Sequence, residues 1–93
     1  MANINSVVTW DAVGGAINYE VELSDTSGNV LAVKTVAGTS IPIGSVIDGA
    51  AVVVGSVYKV RVRAIGPLGP GVWSIKVQFT LEGLSAPINV EIV

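Results

Sequence analysis

The sequence predicts an all-β fold of two facing sheets, a β-sandwich, on three observations. The segment Val57-Tyr58-Lys59-Val60-Arg61-Val62-Arg63-Ala64 alternates strictly, with Tyr58, Val60, Val62 and Ala64 on one face of a strand and Lys59, Arg61 and Arg63 on the other. Valine and isoleucine dominate, glycine is frequent and helix signals are poor. Short apolar runs are divided by turn signals, a pattern that favours a sandwich over a parallel α/β sheet.

The elements follow in order. Ile4, Ser6, Val8 and Trp10 share one face of a first strand, and Asp11 to Ile17 is a turn region carrying Gly14-Gly15. Asn18 to Asp25 is the next strand, with Tyr19, Val21 and Leu23 inward and Glu20, Glu22 and Ser24 outward. Thr26-Ser27-Gly28-Asn29 signals a hairpin turn into Val30 to Val36. Thr39 to Ile43 follows, with Pro42 marking an edge position. Gly44 to Ser56 is a long, rather apolar connection into the tyrosine strand. A stiff loop, Gly66-Pro67-Leu68-Gly69-Pro70-Gly71, leads into Trp73 to Leu81, where Ile75, Val77, Phe79 and Leu81 share a face.

Bulk properties narrow the function classes. A chain of 93 residues, 51% apolar, holds one domain and a packed core. Cysteine is absent, so no disulfide or thiol chemistry operates; histidine is absent, which removes the commonest metal ligand and general base. The net charge of −2, without a basic block, disfavours nucleic-acid binding. No run approaches the ~20 apolar residues of a membrane helix, no secretory signal is visible at Met1-Ala2-Asn3, and there is no glycosylation sequon.

Several features together resemble a fibronectin type III domain. Val8 and Trp10 match the apolar-x-Trp of the family's second strand, and Tyr19-Glu20-Val21 its aromatic-x-Val third strand. Val52-Val53-Val54-Gly55-Ser56-Val57-Tyr58 keeps the glycine and tyrosine of the tyrosine corner but has Val52 for the leucine and Val54 for the proline. The resemblance implies an immunoglobulin-like, two-sheet sandwich of type III topology. It further implies burial of Trp10 and a Tyr58 hydroxyl donating to the backbone of the preceding connection. The expected structural core is Trp10, Tyr19, Val21, Tyr58, Val60 and Val62.

The match begins at the family's strand B, and residues 4–81 read as strands B to G. Residues 82–93 read as a linker and an extra strand, because Ala86-Pro87-Ile88-Asn89-Val90-Glu91-Ile92 resembles strand A of a following repeat. An uncovered strand B is an aggregation liability. Folding the extra strand back in the native direction means crossing ~17–20 Å, whereas Glu82 to Ser85 reaches at most ~14 Å. Donation of residues 86–92 to another copy is easier. The plainer alternative is a disordered segment or a simple edge hairpin.

Catalytic chemistry finds little support. Glu20 and Glu22 share a face, but Lys59, Arg61 and Arg63 stand across from them, and a solvated charge ladder worth ~0.2–1 kcal/mol per pair explains the set better than a glycosidase dyad. Ser24, Ser45, Ser56 and Ser74 lack a Ser-x-x-Lys pattern, and Gly66, Gly69 and Gly71 alternate with prolines that cannot donate to a phosphate. A calcium site around Asp25 and Asn29 competes with a turn, which explains those residues better. The expectation is therefore no catalytic, cofactor-binding or metal-binding residue, and no membrane insertion.

The function implied is a non-catalytic spacer or protein-interaction module from a tandem-repeat surface, secreted or phage tail protein, self-associating by strand exchange. The run Thr9-Trp10-Asp11-Ala12, Gly15-Ala16, Tyr19-Glu20-Val21 and the segment Arg61-Val62-Arg63-Ala64-Ile65-Gly66-Pro67-Leu68-Gly69 resemble type III repeats of phage tail-tip proteins, so an extracellular, cell-surface or virion setting is implied. The alternative is a carbohydrate- or receptor-binding accessory to a larger enzyme or adhesin. Candidate partner contacts are Pro67, Leu68, Pro70, Pro87, Ile88, Val90 and Ile92.

Overall fold

The computed structural model describes residues 3–83 and 87–93. In chain order its elements are β1 (Val7–Thr9), β2 (Asn18–Asp25), β3 (Val30–Val36), β4 (Ser40–Pro42), α1 (Ile43–Val46), β5 (Val57–Gly66), β6 (Gly69–Pro70) and β7 (Val77–Thr80). They form two sheets. β1 pairs antiparallel with β4, Val8 opposite Ile41. In the larger sheet β2 lies between β3 and β5, and β5 carries β6 and β7 on its other side. The protein is thus all-β, with one helical turn among the described residues.

Register follows chemistry in the central pair. Tyr19 faces Ala64, Val21 faces Val62 and Leu23 faces Val60, while Glu20 faces Arg63 and Glu22 faces Arg61. A slip of one residue would turn the apolar set to the wrong face, so the pairing is strongly specified. Val21, Leu23 and Val46 are fully buried, and Ile41, Ile43, Tyr58, Val60 and Leu81 are buried with them. This cluster draws side chains from both sheets and from α1. Burial of each such Val or Leu contributes ~1.5–3 kcal/mol, more than any single surface pair. Tyr19 is also buried, and Trp10 and Val62 are half-buried.

The turn α1 begins at Ile43, read from sequence as the end of a strand, runs into the connection from Gly44, and buries Ile43 and Val46. Its first amide groups are satisfied by the chain ahead of β1: Ile43 N–H donates to the Ser6 carbonyl at 2.7 Å and Gly44 N–H to the Ile4 carbonyl at 3.0 Å. Gly44 suits that approach, because a Cβ there would stand 3.1 Å from the Ile4 oxygen and the neighbouring backbone would have to give by a few tenths of an ångström.

Both tyrosines pin the loop ahead of their own strands. The Tyr58 hydroxyl engages the preceding connection, but as an acceptor: Val53 N–H donates to its oxygen at 2.7 Å. Tyr19 does the same at the other end of the β2–β5 pair, accepting from Val13 N–H at 2.8 Å.

The last strand departs from simple alternation. Gly69 and Pro70 face Gly66 and Ile65, yet Val77 faces Val60, so the chain takes seven steps opposite five on β5. Two surplus residues are absorbed in the stretch between, as in an extended bulge. Ser74 repairs the ladder there: its N–H donates to the Val62 carbonyl at 2.8 Å, and its Oγ accepts the Val62 N–H at 3.0 Å. The consequence is a correction to the strand drawn from Trp73. The Trp73 ring lies over the charged face of β5, while Ile75 (82% exposed) and Val77 (57% exposed) lie at the flank.

Candidate interaction surface

An apolar concavity that opens to solvent runs along the flank where β1 ends one sheet and β7 ends the other. It encloses about 410 Å³ and is walled by Val8 and Trp10 on one side and by Ile75, Val77 and Phe79 on the other, with Val60 at its floor. The β1 side is an open strand edge. Ser6 and Trp10 use their ladder groups toward β4 and its flanks, Ser6 O accepting from Ile43 and Trp10 N–H donating to Thr39, and Val8 pairs with Ile41. By antiparallel alternation the backbone N–H and C=O of Val7 and Thr9 point the other way, along the groove. Val7 is also 53% exposed. The chemistry offered is therefore a row of amide donors and acceptors beside an apolar trough, which suits an extended peptide.

The outer face of β2 and β5 carries a charged stack. Arg61 holds Glu22 bidentately, Nε to Oε1 at 2.8 Å and an Nη to Oε2 at 3.1 Å, and Arg63 holds Glu20 at 2.7 Å. Both guanidinium groups lie against Trp73, at 4.4 and 4.3 Å from its ring centre. The expected solvated ladder is thus partly sheltered, and Glu22 is only 6% exposed. Each of its carboxylate oxygens accepts a hydrogen bond from Arg61.

The turn at Asp25 is closed by its own side chain. Oδ1 accepts the amides of Ser27 and Asn29, each at 2.9 Å, and Oδ2 accepts the Asn29 side-chain amide at 3.0 Å. These bonds, the Asn29 side-chain donor first, hold the Asp25 carboxyl below the usual aspartate range. Among the described residues no group of His, Cys, Asp and Glu gathers around a shared point that could hold a metal ion.

The candidate contact residues fall into two separate places. Pro67 and Leu68 form the tip of the β5–β6 hairpin, and Leu68 is fully exposed, with Pro70 exposed beside it. The other group lies in Pro87–Val93, where Ile88 (84%), Val90 (78%) and Ile92 (101%) are open to solvent and no ladder pairing is made. The backbone bends at Asn89, whose φ is 55°. Ala86, with the linker residues Leu84 and Ser85, lies outside the described residues.

Sequence reasoning missed the groove and the Trp73 stack. The groove depends on two edges from opposite ends of the chain reaching one flank, which no local pattern encodes. For Trp73 a weak signal existed in Gly71, a residue favoured where a strand is irregular.

No family model, no curated protein and no solved structure matches this chain.

Proposed function

We propose that the chain is a non-catalytic module, a fibronectin type III-like sandwich serving as a spacer or protein-interaction unit in a tandem-repeat surface, secreted or phage tail protein. The observation that carries this reading is the character of the groove between β1 and β7: apolar walls and an open strand edge, with Arg61 the sole charged lining residue among the described residues and already paired to Glu22. Such a surface recognises backbone and apolar side chains rather than activating a bond. The Tyr58–Val53 bond and the two-sheet order support the sandwich assignment.

The test joins two copies in tandem and surveys hydrolase substrates. Independent, cooperative unfolding of each copy with a single midpoint, and no turnover of glycoside, ester, peptide or phosphate substrates, is the expected result. Turnover that disappears in Glu20→Gln overturns the reading.

A second reading, a carbohydrate- or receptor-binding accessory, is favoured by a smaller cavity of about 290 Å³ lined by Trp10, Asp11, Tyr19, Arg63 and Trp73. Aromatic faces beside one acid and one base suit a polar ring ligand. Calorimetric titration with an oligosaccharide panel tests it: heat that Trp73→Ala abolishes supports it, and no heat from any member removes it.

A further inference from the structure

We propose that the groove between β1 and β7 receives the Pro87–Val93 segment of a second copy, added as a strand antiparallel to β1. This deepens the module reading, on which it rests, by naming the partner and its direction.

The groove and the segment match in chemistry. The groove offers the outward amide groups of Val7 and Thr9 beside the exposed side chains of Ile75 and Val77. The segment offers Ile88, Val90 and Ile92 at period two, with Asn89 and Glu91 between them, so one extended face is wholly apolar and the other polar. All three apolar residues stand in solvent, an arrangement a monomer gains nothing from. Pro87 suits the first position of an added strand, where its missing N–H costs no ladder bond. Docking straightens the bend at Asn89, whose positive φ is a conformation that extension relieves.

Direction separates a second copy from the chain itself. Ile4, Val54, Leu81 and Gly83 line one small cavity, so Gly83 lies at the pole where the chain enters β1. A strand that left Gly83 and ran along β1 of its own chain would be parallel to it, the weaker arrangement. An antiparallel strand must start at the Trp10 end. That end is about six residues along the chain from Ile4, or ~20 Å in extended form. From Gly83 to Pro87 the chain spans at most ~14 Å. Only another molecule delivers Pro87 to the Trp10 end. The irregular stretch before β7 lacks continuous pairing geometry, so the regular β1 edge is the side on which the ladder forms.

Sedimentation equilibrium of the full chain tests this with two variants at exposed positions, Val90→Asp in the donor and Ile75→Asp in the groove. The native chain is expected to associate, and each variant alone to lose at least about tenfold in association constant while keeping the native circular-dichroism spectrum. Mixed together, the two variants are expected to form a one-to-one complex, because the first supplies an intact groove and the second an intact strand. A folded native chain that stays monomeric overturns the proposal, as does association that survives either substitution or a mixture that forms nothing. A melting point lowered by Val90→Asp in a monomer shows the strand docked on its own chain and equally overturns it. All of these outcomes leave the tandem-unfolding and turnover tests standing, so the two readings fail separately.

Discussion

Tyr58 closes the loop ahead of its own strand: its phenol oxygen accepts the Val53 amide at 2.7 Å, while its ring is buried against the core beside Phe79. One side chain therefore fixes both a core position and the path of a connection. Tyr58→Phe keeps the ring and frees the amide. Val53 is 64% exposed, so water recovers part of the loss, and the expected cost is ~1 kcal/mol. Urea unfolding should show a lower midpoint at unchanged slope. Tyr19→Phe should behave alike through Val13; midpoints equal to the native one would contradict both.

Gly55 precedes that tyrosine with φ of 89°, and a Cβ there would meet no atom within 4 Å. The penalty of Gly55→Ala is thus purely conformational and is expected at ~1–2 kcal/mol. Gly38 also has open space but no positive φ, so Gly38→Ala is the control and should be neutral or slightly stabilising. Equal effects at the two sites would show that backbone conformation at Gly55 is not the constraint.

The two ion pairs should be unequal. Arg61→Ala strands Glu22, whose side chain is 8% exposed, whereas Arg63→Ala leaves Glu20 at 25%. Losing the first is expected to cost ~1–3 kcal/mol and the second no more than ~1 kcal/mol. Thermal melts followed by circular dichroism decide the order, and a larger loss at Arg63 would contradict the geometry.

Asp25 gives a pH dependence. Its carboxyl is held below the ordinary ~3.9 of an aspartate by the Asn29 side-chain donor and then by backbone amides. A lowered native value means the contribution is fully present above the unfolded-state value and is lost as pH falls through the native one. Asn29→Ala should raise the Asp25 midpoint in an NMR titration. A midpoint unmoved by that substitution would assign the shift elsewhere.

Trp10 meets Tyr19 edge-on, with ring centres 5.5 Å apart, and its Nε1–H finds no acceptor among the described residues. Trp10→Ala should cost ~3 kcal/mol, the low end for an aromatic truncation, because the ring is only half-buried. Trp10→Phe discards the unpartnered donor and should cost less than ~1.5 kcal/mol. Guanidinium denaturation of both variants measures the gap; a phenylalanine variant as weak as the alanine one would mean that the indole N–H has a partner.

Strand faces were legible wherever period two ran without interruption, as from Tyr19 to Leu23 and from Tyr58 to Ala64. That Glu20 and Glu22 face the basic row of β5 was legible from opposite charge, whereas the individual partners, Arg63 and Arg61, are set by the register. Trp73 was not legible, because counting back from Phe79 assumes a constant register and two residues are absorbed on the way. Polarity of the Tyr58 bond escaped for a different reason: a hydroxyl both donates and accepts, and only the position of the Val53 amide decides. Even the groove has legible walls, Val8 and Val77 among them; what the sequence hides is that strand order leaves them on one flank without a strand between.

The chain's two indoles sit in unlike surroundings: Trp10 borders the groove, whereas Trp73 is clasped by two guanidinium groups, although both line the smaller cavity. Replacing one indole therefore isolates the emission of the other. In a Trp73→Phe chain the remaining emitter would sense whatever comes to rest beside β1, so the molecule holds a built-in optical gauge of its own occupancy and needs no attached dye.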